Sequence, residues 1–218
     1  MRDDLHVGEA RTREDLQRLN PDARAEVAVV GRSNCGKSSL VNALLGDAHA
    51  RASKTPGRTR AAQLFGFGGA VLVDLPGYGY ASGPARELDG LADVIRACVL
   101  DRAPEDPLKL VLALVDARRV VERGLMDSDA SMIGALVFAR VPFDVVLTKA
   151  DALNRTETDS VRGALARELA ARALLRGPAS LTFLTSARKG TGVGELKSRL
   201  KRVGAGTSAS ASAPRVSP

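Results

Sequence analysis

The amino-acid sequence predicts an α/β fold built on a doubly wound, mostly parallel sheet with one antiparallel edge strand. Short runs that are apolar almost throughout alternate with longer segments of helical period. Continuous apolar runs are typical of parallel strands that helices cover on both faces. Four of the runs end in polar or glycine-containing phrases, which is where such folds bind their ligands. The pattern therefore predicts a fold and also the edge of the sheet where function lies.

The predicted strands and helices follow from these runs in chain order. We expect strands at residues 26–30, 61–67, 70–73, 108–115, 143–147 and 180–184. Gly68 and Gly69 separate the second run from the third, which predicts a tight hairpin and hence the antiparallel strand. Segments of helical period predict helices at residues 37–45, 86–100, 125–139, 158–175 and 194–203.

Three regions are expected along the chain. Residues 1–25 form a charged N-terminal extension with a short helix before Pro21, and residues 26–203 form a single domain. Residues 204–218 read GAGTSASASAPRVSP and lack core-forming side chains. A segment of that composition cannot bury enough apolar surface to fold, so we expect a disordered tail.

Composition and charge narrow the class of protein. The 218 residues carry a formal net charge of +7, which favours contact with polyanions such as nucleic acid. Aromatic residues make up 3%, so contact with phosphates is expected rather than base stacking. We see no apolar stretch of about 20 residues and no secretory signal, and so expect a cytoplasmic protein without membrane contact. Cys35 and Cys98 are expected to be reduced thiols, and no zinc site is predicted.

The phrase GRSNCGKSS lies between the first predicted strand and a predicted helix, and it contains the pattern G-x-x-x-x-G-K-S. Such a loop turns successive backbone N–H groups toward a phosphate, beside the N-terminus of the following helix. Lys37 is expected to reach the β- and γ-phosphates, and the Ser38 hydroxyl to bind Mg²⁺. The chain is thus predicted to be a P-loop NTPase, with nucleotide contacts from Gly31, Arg32, Ser33, Asn34, Cys35, Gly36, Lys37 and Ser38.

The phrase DLPGYGYASG follows the third predicted strand and contains the pattern D-x-x-G. Asp74 is expected to hold the magnesium shell through water, and the Gly77 amide to sense the γ-phosphate. Tyr78 stands where the best-known switch GTPases carry the glutamine that orients the attacking water. The predicted nucleotide contacts here are Asp74, Leu75, Pro76 and Gly77.

Two further phrases, TKAD and TSA, predict which base is bound. The Asp151 carboxylate is able to accept hydrogen bonds from the N1–H and 2-amino groups of guanine, whereas adenine offers no such pair of donors. Lys149 is expected to lay its aliphatic stem along the ring, and the TSA backbone N–H groups to meet guanine O6. The more familiar first letter of TKAD is asparagine, and Thr148 makes fewer bonds. The predicted contacts are Thr148, Lys149, Ala150, Asp151, Thr185, Ser186 and Ala187.

A polar segment, RASKTPGRTRAAQ, joins the P-loop helix to the hairpin. It lacks apolar periodicity, so we expect it to be mobile without ligand. A threonine in such a segment is able to close over the nucleotide and give its hydroxyl to magnesium. Thr55 and Thr59 both qualify.

Taken together, these phrases closely resemble the EngB/YihA/YsxC family of bacterial GTPases. The resemblance extends over residues 26–203 and rests on AEVAVVGRSNCGKSSLVNALLG, SKTPGRTR, VDLPGYGYA, VPFDVVLTKADAL and TSARKGTGVGEL. It implies a Ras-like G domain that hydrolyses GTP to GDP and phosphate and assists late assembly of the large (50S) ribosomal subunit, with a consequence for septation and cell division. It also implies Mg²⁺ and rRNA as ligands, and we expect a monomer.

The resemblance also implies roles for individual residues. Thr59 becomes the switch threonine, so that Ser38, Thr59 and, through water, Asp74 are the expected magnesium ligands. Lys37, Asn34 and Thr59 are the expected catalytic residues. Further nucleotide contacts are expected from Gly57, Arg58, Thr59, Arg60 and Ala61.

Asn34 is a candidate ligand for a second cation in addition to Mg²⁺. In related GTPases with an apolar or aromatic residue after D-x-x-G, an asparagine at this P-loop position helps to coordinate K⁺, which stabilises the charge that develops during cleavage. The alternative is that Asn34 only shapes the loop through side-chain hydrogen bonds. Arg58 and Arg60 are alternative sources of positive charge, and Arg58 is expected to contact the ribosome instead.

Other functions were weighed against hydrolysis. A nucleotide-gated ribosome- or rRNA-binding module with negligible intrinsic hydrolysis stays open, because the water-activating group is not evident beside Tyr78. TKAD argues against an ATP-using P-loop kinase or transport ATPase. A G domain that feeds a membrane channel is disfavoured by the lack of an apolar span.

Overall fold

The computed structural model describes residues 6–46, 61–79, 85–174 and 181–208. Its strands are β1 (His6–Ala10), β2 (Glu26–Gly31), β3 (Ala62–Phe67), β4 (Ala70–Asp74), β5 (Leu108–Asp116), β6 (Phe143–Thr148) and β7 (Thr182–Leu184). Its α-helices are α1 (Arg13–Leu19), α2 (Lys37–Leu45), α3 (Ala85–Ile95), α4 (Ala117–Arg123), α5 (Asp127–Phe138), α6 (Arg155–Ala171) and α7 (Val193–Ser208). A π-helical turn at Arg96–Leu100 continues α3, and a 3₁₀ turn at Ala150–Ala152 follows β6.

The seven strands form one sheet in the order β1-β3-β4-β2-β5-β6-β7. Strands β4, β2, β5, β6 and β7 pair in parallel, whereas β3 runs antiparallel to both of its neighbours. The predicted α/β fold class, with its parallel sheet and one antiparallel strand, is therefore confirmed.

Helices cover the sheet on both faces, which explains the continuous apolar runs. In β2, Val27 and Val29 belong to the apolar cluster under α2 and α7, while Ala28 and Val30 belong to the cluster under the other helices. All six residues of β2 are buried. Successive side chains of a strand point to opposite faces, so a strand between two helical layers needs apolar residues at every position.

The N-terminal segment differs from its prediction. Residues 1–25 were expected to be an extension outside the domain, but β1 pairs antiparallel with β3 and so becomes the edge strand in its place. The short helix expected before Pro21 is present as α1, where Thr12 and Asp15 form a capping box. The sequence of β1, HVGEA, is exposed or half-buried except at Ala10, and therefore gives no apolar run.

A buried ion-pair network connects this segment to the sheet. The Arg102 guanidinium lies 2.8 Å from Glu26 and 3.0 Å from Asp106, and the Arg102 and Glu26 side chains are 4% and 2% exposed. Arg13 of α1 binds the same Asp106 at 2.6 Å, and the Asn20 amide donates to Glu26. The network holds the start of β2 and the N-terminal helix to the segment that precedes β5.

The C-terminal tail also needs a correction. Disorder was predicted from Gly204 onward, but α7 continues to Ser208, and Gly204 is buried. A Cβ atom at Gly204 would lie 2.8 Å from the Gly68 carbonyl oxygen of the β3–β4 hairpin, so glycine lets the helix approach that turn closely. Residues 209–218 lie outside the described part of the chain. Among the described helices, none is both long and apolar enough to cross a membrane.

Candidate functional site

The four phrases come together at one edge of the sheet. GRSNCGKSS follows β2, DLPG follows β4, TKAD follows β6 and TSA follows β7. These four strands are parallel, so their carboxyl ends meet at the same edge. The structure thus brings together the predicted phosphate and base elements along this edge.

The P-loop turns through two residues with positive φ before α2 begins. Asn34 has φ 64° and Gly36 has φ 104°, and the Cys35 N–H donates to the Arg32 carbonyl at 3.1 Å. Gly36 caps α2 without a side chain. The first N–H groups of a helix have no partners within the helix, and with no side-chain cap they are available to an anion. Lys37 and Ser38 occupy the first two helical positions.

Gly31 is required for a different reason from Gly36. A Cβ atom at Gly31 would lie 2.6 Å from the Cys35 Sγ and 3.0 Å from the Leu114 carbonyl oxygen, so no larger residue fits. Cys35 itself is 4% exposed, and burial raises the pKa of its thiol to about 11. The buried thiol is neutral at physiological pH and serves as a packing group beneath the loop.

The DLPG segment lies directly against the P-loop. The Ser33 N–H donates to the Tyr78 carbonyl at 2.9 Å, and the Tyr78 N–H donates to the Gly31 carbonyl at 3.3 Å. A Cβ atom at Gly77 would lie 2.9 Å from the Ser33 nitrogen. Glycine at position 77 therefore allows the two backbones to touch, which places the Gly77 amide beside the phosphate loop. Leu75 is fully buried and donates its N–H to β2.

Asp74 fits a cation site. It is 5% exposed, and within the described chain its Oδ1 is buried without a hydrogen-bond partner. Burial raises the pKa of this carboxyl to about 6, and the nearby Lys37 ammonium partly opposes that rise. A buried carboxylate oxygen without a donor is costly unless a ligand supplies positive charge. The Ser38 hydroxyl as a direct ligand and Asp74 as the acceptor for a metal-bound water would suit Mg²⁺, a cation that prefers oxygen ligands and retains several waters.

Thr148 connects two strands and the P-loop. It is 4% exposed, and its hydroxyl lies 2.5 Å from the Cys35 carbonyl oxygen and 3.2 Å from that of Val115. The hydroxyl therefore ties the end of β6 to the P-loop and to the end of β5. Thr148 was predicted to contact the base, but both of these hydrogen-bond contacts are to the protein backbone.

Lys149 holds the P-loop from the other side. Its Nζ donates to the Asn34 carbonyl at 2.6 Å and to Asp116 Oδ2 at 2.7 Å. Asp116 ends β5, is 5% exposed, and also caps α4 by accepting from the Arg118 N–H. Sequence reasoning missed Asp116, although a carboxylate that ends the apolar run LVLALVD at this edge was the available signal.

Asp151 lines a cleft of about 150 Å³ that opens beside α2. The Ser186 hydroxyl donates to Asp151 Oδ1 at 2.7 Å, and this hydrogen bond is the main reason that the pKa of Asp151 lies below its usual value. The other lining residues come from the P-loop, TKAD and TSA regions: Gly36, Ser39, Leu40, Thr148, Lys149, Thr185, Ala187 and Arg188. Ala150 is held by its N–H, which donates to the Thr185 carbonyl.

The TSA phrase supplies fewer amides than predicted. The Thr185 N–H donates to the Leu147 carbonyl at 2.7 Å, and the Ser186 N–H donates to the Thr191 carbonyl at 2.9 Å. Neither donor is available to a base. Ala187 lines the cleft, and within the described chain its N–H has no backbone acceptor, so it is the one amide of the three that suits guanine O6.

Part of the predicted site cannot be placed. Gly57, Arg58, Thr59 and Arg60, with the alternative Thr55, lie outside the described residues. Ala61 is described, and it is buried immediately before β3. The assignment of the switch threonine stays a prediction.

Comparison with known proteins also indicates a GTP-binding protein. The family described as 50S ribosome-binding GTPase matches residues 26–149. The chain is 40% identical over 196 residues to the probable GTP-binding protein EngB of Nitrobacter winogradskyi, a match that spans 86% of this chain and 84% of the relative. It is also 40% identical over 190 residues to the protein of the same name from Caulobacter vibrioides, with 86% and 79% covered.

Solved structures agree with the fold. The crystal structure of a probable GTP-binding protein EngB superposes with a TM-score of 0.61 at 26% identity, covering 82% of this chain and 98% of the other. Era in complex with MgGDPNP and nucleotides 1506–1542 of 16S ribosomal RNA superposes with a TM-score of 0.62 at 20% identity, covering 82% and 56%. The likeness to Era concerns the fold alone.

The contribution of the Thr148 hydroxyl is tested by measuring the free energy of unfolding. Thr148→Val removes the one hydroxyl proton that the carbonyls of Cys35 and Val115 share, so we expect the free energy of unfolding to fall by about 1–2 kcal/mol. Thr158→Val is the matched control, because the Thr158 hydroxyl donates at 2.8 Å to Asn154 on an exposed helix surface. That control should lose no more than about 0.5 kcal/mol. Equal unfolding curves for the two variants in urea would show that the tie adds nothing.

Proposed function

The chain belongs to the EngB family of GTP-binding proteins, and from this we propose that it binds GTP with Mg²⁺ and hydrolyses it to GDP and phosphate. The observation that carries the proposal is the pairing of Asp151 with Ser186 in a cleft that opens beside the P-loop helix. A carboxylate in this cleft is able to accept from the two donors of guanine, and Gly36 of the P-loop lines the same cleft.

Different residues are proposed to bind the phosphates and the cation. The N–H groups at the start of α2 and the Lys37 ammonium bind the phosphates, and the Ser38 hydroxyl and the buried Asp74 hold the cation, Asp74 through water. Mg²⁺, when bound, neutralises the charge of the β- and γ-phosphates. The Gly77 amide is positioned to report the γ-phosphate. Thr59 is proposed to complete the cation shell from the segment that lies outside the described chain.

Because Tyr78 replaces the usual glutamine, we propose that Asn34 helps to bind K⁺, which stabilises the charge that develops during cleavage. Asn34 is exposed at the P-loop, and its φ of 64° is a conformation that asparagine adopts more readily than most residues. This backbone geometry supports the loop-shaping explanation as well, so the two roles have to be separated by experiment. The alternative function, a nucleotide-gated module with negligible intrinsic hydrolysis, also depends on that outcome.

The rate of GTP turnover in K⁺ and in Na⁺ distinguishes cation binding by Asn34 from a role in shaping the loop. We expect GTP turnover to be about tenfold faster or more in K⁺ than in Na⁺, because a fixed positive charge stabilises the transition state. Asn34→Gly should abolish the difference while leaving GDP affinity near normal, since glycine tolerates the positive φ without strain. Equal rates in the two salts would exclude the cation role. Unchanged GTP after many hours, with normal binding of a GTP analogue, would favour the module without hydrolysis.

Base selection is tested at Asp151. Asp151→Asn presents one donor and one acceptor, which match xanthine and not guanine. We expect GTP affinity to fall about 100-fold, as for loss of charge-assisted bonds worth about 3 kcal/mol, and xanthosine triphosphate to bind better than GTP. Asp159→Asn on the exposed face of α6 is the control and should change neither affinity. Retained preference for GTP in competition binding would mean that Asp151 does not contact the base.

We further propose that the partner is the large ribosomal subunit, through its rRNA, in line with the description of the matching family. The support in this chain is charge: Lys201 and Arg202 are exposed on α7, near the β3–β4 hairpin. Arg199 of the same helix is bound to the buried Asp144 at 2.9 Å and is committed to the fold. We place the protein in the cytoplasm as a monomer, with septation and cell division affected through ribosome supply.

Co-sedimentation with ribosomal subunits tests the partner. We expect binding to the large subunit with a GTP analogue and weaker binding with GDP or no nucleotide. Lys201→Glu with Arg202→Glu should reduce binding at least about tenfold, because contacts with phosphates govern such affinities. Arg123→Glu with Arg162→Glu alters two exposed residues elsewhere and gives the same net charge, +7 minus 4, or +3. Equal loss in both double variants would point to bulk charge instead of a surface on α7.

A further inference from the structure

Tyr78 makes a contact that hydrolysis as described above does not use. Its hydroxyl donates to Asp129 Oδ1 at 3.1 Å. Asp129 is 3% exposed and lies in the first turn of α5, an element that contributes none of the four phrases. The residue after D-x-x-G is therefore connected to a helix outside the predicted site.

The surroundings fix the direction of this hydrogen bond. A cavity of about 40 Å³ separates the P-loop from the starts of α4 and α5. The groups that face Asp129 are Tyr78, Arg32, Arg119 and Asp116. Burial raises the pKa of Asp129 to about 6 and that of Tyr78 well above its usual value. Because its raised pKa keeps the tyrosine protonated, the Tyr78 hydroxyl donates and the Asp129 oxygen accepts.

Tyr78 is held through both its backbone and its side chain. Its backbone binds the P-loop through Gly31 and Ser33, and its side chain reaches α5. Glycines flank it, and Gly79 has φ 73° with the Arg32 Nε 3.1 Å from where its Cβ would be. Because its two neighbours have no side chains, Tyr78 provides the side-chain contact of residues 77–79, beyond the buried Leu75.

We propose that Asp129 is a positioning residue for the reaction, which acts through the Tyr78 hydroxyl to hold the Gly77 amide at the γ-phosphate position. This inference rests on the proposed binding of GTP. GDP has no γ-phosphate, so the contact contributes to binding of the triphosphate and little to binding of the diphosphate. An anchor of the whole fold would instead affect both nucleotides and the stability of the protein.

Nucleotide affinities of Tyr78→Phe test the proposal. We expect its affinity for a non-hydrolysable GTP analogue to fall about fivefold, as for the loss of one hydrogen bond, with GDP affinity unchanged within about twofold. Asp129→Asn retains an acceptor and should recover most of the analogue affinity, whereas Asp129→Ala should match Tyr78→Phe. The double variant Tyr78→Phe with Asp129→Ala should lose no more affinity for the GTP analogue than either single variant, because both substitutions remove the same hydrogen bond. Asp127→Ala, two residues earlier with a 92% exposed side chain, is the control.

Other outcomes overturn the inference. Equal losses of analogue and GDP affinity, or a lowered unfolding temperature for Tyr78→Phe, would make the contact purely structural. Unchanged affinity of Tyr78→Phe for the GTP analogue would contradict the role of the hydrogen bond, but it would not contradict the proposed binding of GTP. A wild-type protein that does not prefer guanine nucleotides would contradict the proposed function itself, and with it this inference.

Discussion

The site depends on the pairing of P-loop carbonyl groups with two side chains at the end of β6. The Thr148 hydroxyl binds the carbonyl of Cys35, and the Lys149 ammonium binds that of Asn34. A loop between a strand and a helix has no ladder of its own to satisfy these oxygens, and unpaired buried carbonyls are costly. With these carbonyls bound by Thr148 and Lys149, the uncapped N–H groups at the start of α2 are left to bind an anion. The phosphate site is thus set by the order of strands in the sheet.

Of the buried carboxylates beside this loop, Asp74 and Asp129 have a raised pKa, and burying each in its ionised form costs stability. Asp74 lies on the side of Lys37, and Asp129 lies beyond Tyr78, each with a pKa raised to about 6 by burial. A group whose pKa is raised in the folded state favours unfolding once it is ionised. Such groups are retained where they have a partner to bind, and functional sites are where they are found. The two differ in their partners: Asp129 accepts from the Tyr78 hydroxyl, whereas the partner proposed for Asp74 is a cation.

The sequence predicted the central fold because the covered strands of a parallel sheet are apolar throughout, as in β2 and β5. It missed β1, whose one buried side chain is Ala10, and α4, which begins at Ala117 directly after β5 with no turn residues between them. Nucleotide motifs were found because they are contiguous in the chain. Asp116 and Asp129 were not, because their importance comes from elements that meet only in the folded sheet. The backbone role of Thr148 was hidden for the same reason, since its partners lie 33 and 113 residues away.

The close approach of α7 to the β3–β4 hairpin has a practical consequence for handling the protein. Gly204 touches the hairpin turn at Gly68, although composition alone would place this glycine in a dispensable tail. A version shortened after Val203 would uncover the hairpin and remove a full helical turn, while one shortened after Ser208 would keep the whole described helix. The safe place for a cut or a fused tag is therefore beyond position 208, five residues later than composition suggests.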